Sequence, residues 1–170
     1  MKNQLRLKLM LPIFSMVGFY FPIHVKCQEL PNTIIGKEDK EINDIPFLKN
    51  YKIAEGIAID EDISSKTSFI LITNGSNEKV ICSQYLGPNS RKILAVQEIG
   101  KLPKKSKVIM SRCRKEQKDN GYIIAIVETT QTAYFKKVKK AWIFKKESQT
   151  FSEIPIKGID CINDEFDNLL

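Results

Sequence analysis

The sequence predicts a mainly β domain, an antiparallel sheet of about six or seven short strands, with an α+β variant carrying one or two short helices as the alternative. Three observations predict it. Runs rich in β-branched and aromatic residues recur at 68–73 (SFILIT), 79–86 (KVICSQYL), 107–114 (KVIMSRCR) and 122–129 (YIIAIVET). Turn formers punctuate them at Asn74-Gly75, Gly87-Pro88-Asn89 and Asn120-Gly121, residues that accept positive φ or break pairing. The run at 122–129 is also continuously apolar at its start, the mark of a strand covered on both faces.

Taken in order, residues 1–27 read as a secretory leader. Lys2, Arg6 and Lys8 make a positive start, residues 9–23 (LMLPIFSMVGFYFPI) an apolar centre, and Val25 and Cys27 the small pair before a cut at Cys27/Gln28. Pro12, Gly18 and Pro22 interrupt the apolar block, which falls short of the roughly 20 residues a spanning helix needs. No stable membrane span is therefore expected after leader removal. A lipid-bearing Cys27 is an alternative, but Lys26 stands where a small residue belongs. The expected product is one exported domain, residues 28–170, secreted or periplasmic.

Residues 28–44 are polar and read as a loose N-terminal arm. Asp44 as N-cap and Pro46 in the first turn suit a short helix carrying Phe47, Leu48 and Tyr51. Ile53, Ile57 and Ile59 then alternate as a strand does. Residues 68–86 form a hairpin around Asn74-Gly75. Residues 91–99 (RKILAVQEI) fit neither period cleanly, and 130–140 are ambiguous: Tyr134, Val138, Ala141 and Trp142 have helical spacing, while Tyr134, Val138, Trp142 and Phe144 share a strand face. Residues 107–114 read as one strand with a basic end, and 115–121 as a polar turn. Residues 141–145 and 151–156 flank a short loop as a last hairpin, before an acidic tail.

The formal charge of +7 is mostly leader: removing Lys2, Arg6, Lys8 and Lys26 leaves +3. So small a balance implies no nucleic-acid partner. The charge is nevertheless segregated. Residues 101–118 hold eight cations against Glu116, and 136–146 hold six cations and no acid. The stretches 38–62 and 160–167 are acid-rich. Such runs are either solvated faces or one basic surface for an anionic partner. The residues of that candidate surface are Lys104, Lys105, Lys107, Arg112, Arg114, Lys136, Lys137, Lys139, Lys140 and Trp142. Trp142 sits between lysine pairs. It is either a core aromatic or a surface ring that stacks on a sugar or base.

With Cys27 cut away, Cys82, Cys113 and Cys161 remain, so an oxidising compartment implies one disulfide and one thiol. Cys82 and Cys113, both in strand-like runs, are the first candidate pair; Cys161 is the alternative partner. No Cys-x-x-Cys spacing points to a metal. The only histidine, His24, lies in the leader. This removes His-dependent nucleophiles, zinc sites and general bases from the domain. No glycine-rich phosphate loop is present, and no cofactor is expected. Glu55, Asp60, Glu61 and Asp62 are the one cluster that carboxylate catalysis could use. Asn74-Gly75-Ser76 fits a glycosylation sequon.

Lys140-Ala141-Trp142-Ile143-Phe144, Phe151-Ser152-Glu153-Ile154 and Gly158-Ile159-Asp160-Cys161-Ile162-Asn163 together resemble the C-terminal end of small uncharacterised exported bacterial proteins. The shared pattern is an Ala-Trp, a turn, a Phe and a closing Gly-x-x-Cys-x-Asn. The resemblance implies an exported small domain and carries no activity. The expectation is a non-enzymatic exported binding module whose partner is an anionic envelope polymer or another exported protein. The alternative is a secreted inhibitor or protective protein that blocks an enzyme, with residues 74–79 as its probe.

Overall fold

The computed structural model describes residues 34–36, 38–39, 45–59, 67–87 and 90–166. The leader with Cys27, Asp44 and the carboxylates Asp60, Glu61 and Asp62 lie outside the described residues. The protein is mainly β and its pairing is antiparallel throughout. Thirteen short strands are described, arranged in three sheets instead of one sheet of about seven.

The first sheet contains β1 (Glu38–Asp39), β2 (Lys52–Ala58), β3 (Thr67–Thr73), β4 (Glu78–Gly87) and β5 (Ser90–Gly100), in the order β1-β5-β4-β3-β2. The middle sheet is built from β6 (Ser106–Met110) and β9 (Ile123–Glu128), with β11 (Val138–Lys145) and β12 (Thr150–Glu153). Its order is β12-β11-β9-β6. The third sheet holds β7 (Cys113–Lys115), β8 (Lys118–Asn120), β10 (Tyr134–Phe135) and β13 (Ile159–Ile162), in the order β10-β13-β7-β8. A single 3-10 turn, Pro46–Leu48, is the only helical element described. It begins at Ile45 without a side-chain cap, so the expected helix shrinks to one turn.

The β3–β4 hairpin forms as its turn chemistry requires. Asn74 Oδ1 accepts the N–H groups of Ser76 at 3.0 Å and Asn77 at 2.8 Å. Gly75 takes φ +84°, where a side chain would be strained. The segment that fitted no period, 91–99, is part of β5. Its register against β4 shifts between Cys82 and Ser83, so Leu94 is an extra residue on β5. The bulge changes which face the following side chains meet. Ile93 therefore packs on one face of the first sheet while Leu94 and Ala95 pack on the other. A bulge at Lys139 does the same in β11, which explains the mixed pattern at 130–140.

The run expected as one strand, 107–114, is two. Ser111 adopts φ +61° and turns the chain out of the middle sheet (β6) into the third (β7). A two-residue turn then joins β7 to β8, with Glu116 and Gln117 at φ +53° and +63°.

Three apolar clusters bind the layers. Phe69, Leu71, Val80, Trp142 and Phe144 lie in the cluster between the first and middle sheets. The rings of Phe69 and Phe144 meet edge to face at 6.1 Å, a geometry worth about 1 kcal/mol beyond burial. Cys113, Ile123, Ala125, Val127 and Cys161 lie between the middle and third sheets. β9 is covered on both faces: Ile124 and Ile126 belong to one cluster, Ile123, Ala125 and Val127 to the other. Its continuous apolar sequence is thereby explained.

The N-terminal arm is docked where it is described. Ile34 is fully buried with Ile45, Leu48, Ile70 and Ile81 on the outer face of the first sheet. The Gly36 N–H donates to Ile93 O at 2.8 Å, and β1 pairs with β5. The reason is that Ile70, Ile72, Ile81 and Ile93 make this outer face apolar, and it needs a cover.

The disulfide joins Cys113 to Cys161, not Cys82 to Cys113. Cys82 belongs to the cluster between the first and middle sheets, Cys113 to the one beyond the middle sheet. A whole layer separates them. Cys161 stands opposite Cys113 across the β7–β13 ladder, and Cys82 remains a buried thiol.

Candidate functional site

The structure divides the predicted basic surface in two. Lys107, in β6, donates to Glu165 at 3.0 Å, with its Nζ 4.8 Å from the centre of the Phe135 ring. Arg112 pairs with Asp164. Arg114 forms a two-pronged bond to Asp160, at 2.8 and 2.9 Å, and lies 3.9 Å over the Tyr134 ring. That bond, the foremost cause, holds the Arg114 guanidinium still more firmly protonated than usual. Lys140 reaches Glu153 at 3.1 Å and lies over the Trp142 ring at 5.0 Å. Each of these four cations is neutralised, three of them by acids of the C-terminal segment.

Trp142 is not part of any surface. It is 4 % exposed and packs in the cluster between the first and middle sheets. Its strand alternates Lys140, Trp142, Phe144 on the inner face, with Lys140 escaping at the edge. The surface-stacking reading of this ring is therefore corrected: a strand that places Phe144 in the core places Trp142 there too.

The other five cations gather. Lys104 and Lys105 precede β6, Lys136 and Lys137 precede β11, and Lys139 sits on the β11 bulge; all five are exposed. Register brings them to one rim. Ser106 faces Glu128 across β6–β9, and Val138 faces Val127 across β9–β11. Lys137 Nζ contacts Glu128 at 3.0 Å, and Lys139 Nζ donates to Ser106 Oγ at 2.9 Å. The hydrogen bond from Lys137 and its charge hold the Glu128 carboxyl below the ordinary glutamate range. Desolvation opposes these two effects, and the charges of Lys139 and then Lys105 add smaller contributions in the same direction as Lys137. One carboxylate thus stands among the lysines of both strips.

No family model, curated protein or solved structure matches this chain.

Beside the rim runs a shallow groove of about 380 Å³, lined by Thr130, Thr132, Ala133, Tyr134, Lys136 and Lys137. Its loop is held from below by Asn163. This side chain donates to Thr132 O at 2.9 Å and Thr130 O at 3.3 Å, and its N–H donates to Ala133 O at 2.9 Å. Asn163 is buried and lies two residues from the disulfide at Cys161, so the groove floor is tied to the third sheet. Thr130 and Thr132 hydroxyls bond each other at 2.8 Å.

Glu128 and Asn163 were not among the residues singled out from the sequence. Glu128 ends an apolar strand and gives no local sign of facing three lysines. Asn163 did carry a signal, as the last residue of the closing Gly-x-x-Cys-x-Asn. Of the carboxylate cluster, Glu55 is on the exposed strand β2, and its three companions lie outside the described residues. Among the described residues no three His, Cys, Asp or Glu side chains group as a metal site.

Proposed function

We propose that the protein is an exported, non-enzymatic binding module that holds an anionic envelope polymer on the rim formed by Lys104, Lys105, Lys136, Lys137 and Lys139. The observation that carries this reading is the meeting of two basic strips, distant in sequence, around the single carboxylate of Glu128. Exposed ammonium groups attract a polyanion without fixing one geometry, and salt screens them. The groove with Thr130, Thr132 and Tyr134 adjoins the rim and gives sugar hydroxyls of such a polymer a surface to rest on. The buried Cys113–Cys161 disulfide supports export, since such bonds persist in oxidising compartments.

The test uses polyphosphate and dextran sulfate as probes. Affinity should fall steeply between low and physiological salt. Lys105→Ala, Lys137→Ala and Lys139→Ala combined should weaken it by about tenfold or more, if each exposed contact is worth about 0.5 kcal/mol or above. Binding indifferent to ionic strength, or unchanged in the triple variant, would refute the proposal.

A further inference from the structure

A second concavity, about 400 Å³ in volume, opens among β2, β3, β4 and β6 and shares no lining residue with the threonine groove. We propose that this cleft binds a small organic cation, a primary ammonium or guanidinium carried on a short aliphatic stem.

The floor accounts for the stem. Leu71, Val108 and Met110 are buried there, and the half-buried Leu102 closes one side. An apolar floor of this size with a few polar groups on its wall is the usual form of a small-ligand site.

The wall accounts for the charge. Its two cations are already matched, Lys107 by Glu165 and Arg112 by Asp164. Its other two carboxylates, Glu55 and Glu78, have no cation among the described residues. The cleft therefore carries an uncompensated negative charge over an apolar surface.

Glu78 adds a second, independent observation. Its Oε2 is shielded from solvent and has no hydrogen-bond partner. A shielded acceptor without a donor is destabilising, and folded proteins keep few of them without a reason. The last torsion of a glutamate is broad, so a modest rotation presents this oxygen to an N–H group seated over Leu71 and Met110. A charged donor there satisfies the oxygen and neutralises the carboxylate in one contact.

The experiment titrates the full chain with n-pentylamine, agmatine and n-pentanol, following the methyl signals of Leu71 and Met110 by NMR. Both cations should bind saturably, and n-pentanol, which has the stem without the charge, about tenfold more weakly or not at all. Glu78→Gln keeps the shape and removes the charge, and should cost n-pentylamine about tenfold. Leu102→Trp fills the cleft and should abolish binding with the circular dichroism unchanged. The triple lysine variant should keep its amine affinity while losing polyanion retention, so this inference and the proposed function fail separately. Absence of saturable amine binding overturns the inference. So does equal affinity for n-pentylamine and n-pentanol, or undiminished affinity in both Glu78→Gln and Leu102→Trp.

Discussion

The lysine rim and the strip from Lys107 to Arg114 are both dense in cations, yet they differ in what the fold sets opposite them. Along the strip, Asp160, Asp164 and Glu165 arrive from the C-terminal segment and pair with Arg114, Arg112 and Lys107. At the rim, Glu128 is the one carboxylate paired with the lysines there, among the described residues. A run of charge in a sequence is therefore not a field in space. Opposite charges that are far apart along the chain cancel when a strand ladder brings them into register, and the attraction falls off with distance and screening. The β7–β13 ladder does this for Arg114 and Asp160, which are direct partners.

The largest effect is expected in the core beneath the middle sheet, which carries the rim. Trp142→Ala removes a buried ring beneath Lys140 and should cost about 4 kcal/mol, read as a lower midpoint in urea unfolding. Polyanion affinity of the fraction that stays folded should be unchanged, since the ring packs between the first and middle sheets and the rim lysines are exposed. Replacing Cys113 and Cys161 together by serine comes next. It should cost about 3 kcal/mol and loosen β13, which carries Asp160 and leads to Asp164. Retention on a polyanion column should then rise, because Arg112 and Arg114 lose their partners.

Asp160→Asn tests the same cancellation with a smaller change. It removes the two-pronged bond to Arg114, should lower the thermal midpoint modestly, and should lengthen retention at low salt only. Glu128→Gln sharpens the rim instead. It should tighten polyanion binding by about two- to threefold, the scale of one exposed charge pair.

The pH dependence of these two glutamates has opposite sign. Glu128 is held below its unfolded value, so the stability it contributes is present above the unfolded range and is lost as pH falls through its depressed value. Burial raises Glu78 instead. The folded state then binds its proton more tightly than the unfolded state does, and stability declines as pH rises through the acidic range. Glu78→Gln should therefore raise the midpoint at neutral pH, and the gain should vanish in acid. A gain that persists at low pH would contradict the assignment to Glu78 ionisation.

Much of the architecture was legible locally. The β3–β4 hairpin, the β11–β12 hairpin and the double-faced burial of β9 each follow from side chains within a few residues of one another. Two segments without a clean pattern each contain a bulge. Leu94 and Lys139 each add one residue to a ladder, and a one-residue shift sends every later side chain to the other face. No single periodicity survives that, so 91–99 fitted neither period and 130–140 fitted both. The break at Ser111 was hidden for a different reason: a serine at positive φ is uncommon, and nothing in its neighbours marks it.

The candidate site was legible as residue types and not as a place. Both basic strips were visible, but the five lysines that share the single carboxylate of Glu128 could not be told from the four cations that each meet an acid of their own. The disulfide was open for the same reason. Three cysteines of the domain allow several pairings, and only the stacking of layers puts Cys82 on the far side of the middle sheet from Cys113.

The amino-acid order is enough to specify a β protein with dense turns, a formal charge of +7 and no histidine outside residues 1–27. Those properties depend on local sterics and on composition. Only the packed layers fix the number of sheets, the disulfide pairing, the burial of Trp142 and which cations meet an acid of their own. Each of these depends on pairs of residues tens of positions apart, and such pairs are chosen by how whole layers bury their apolar faces.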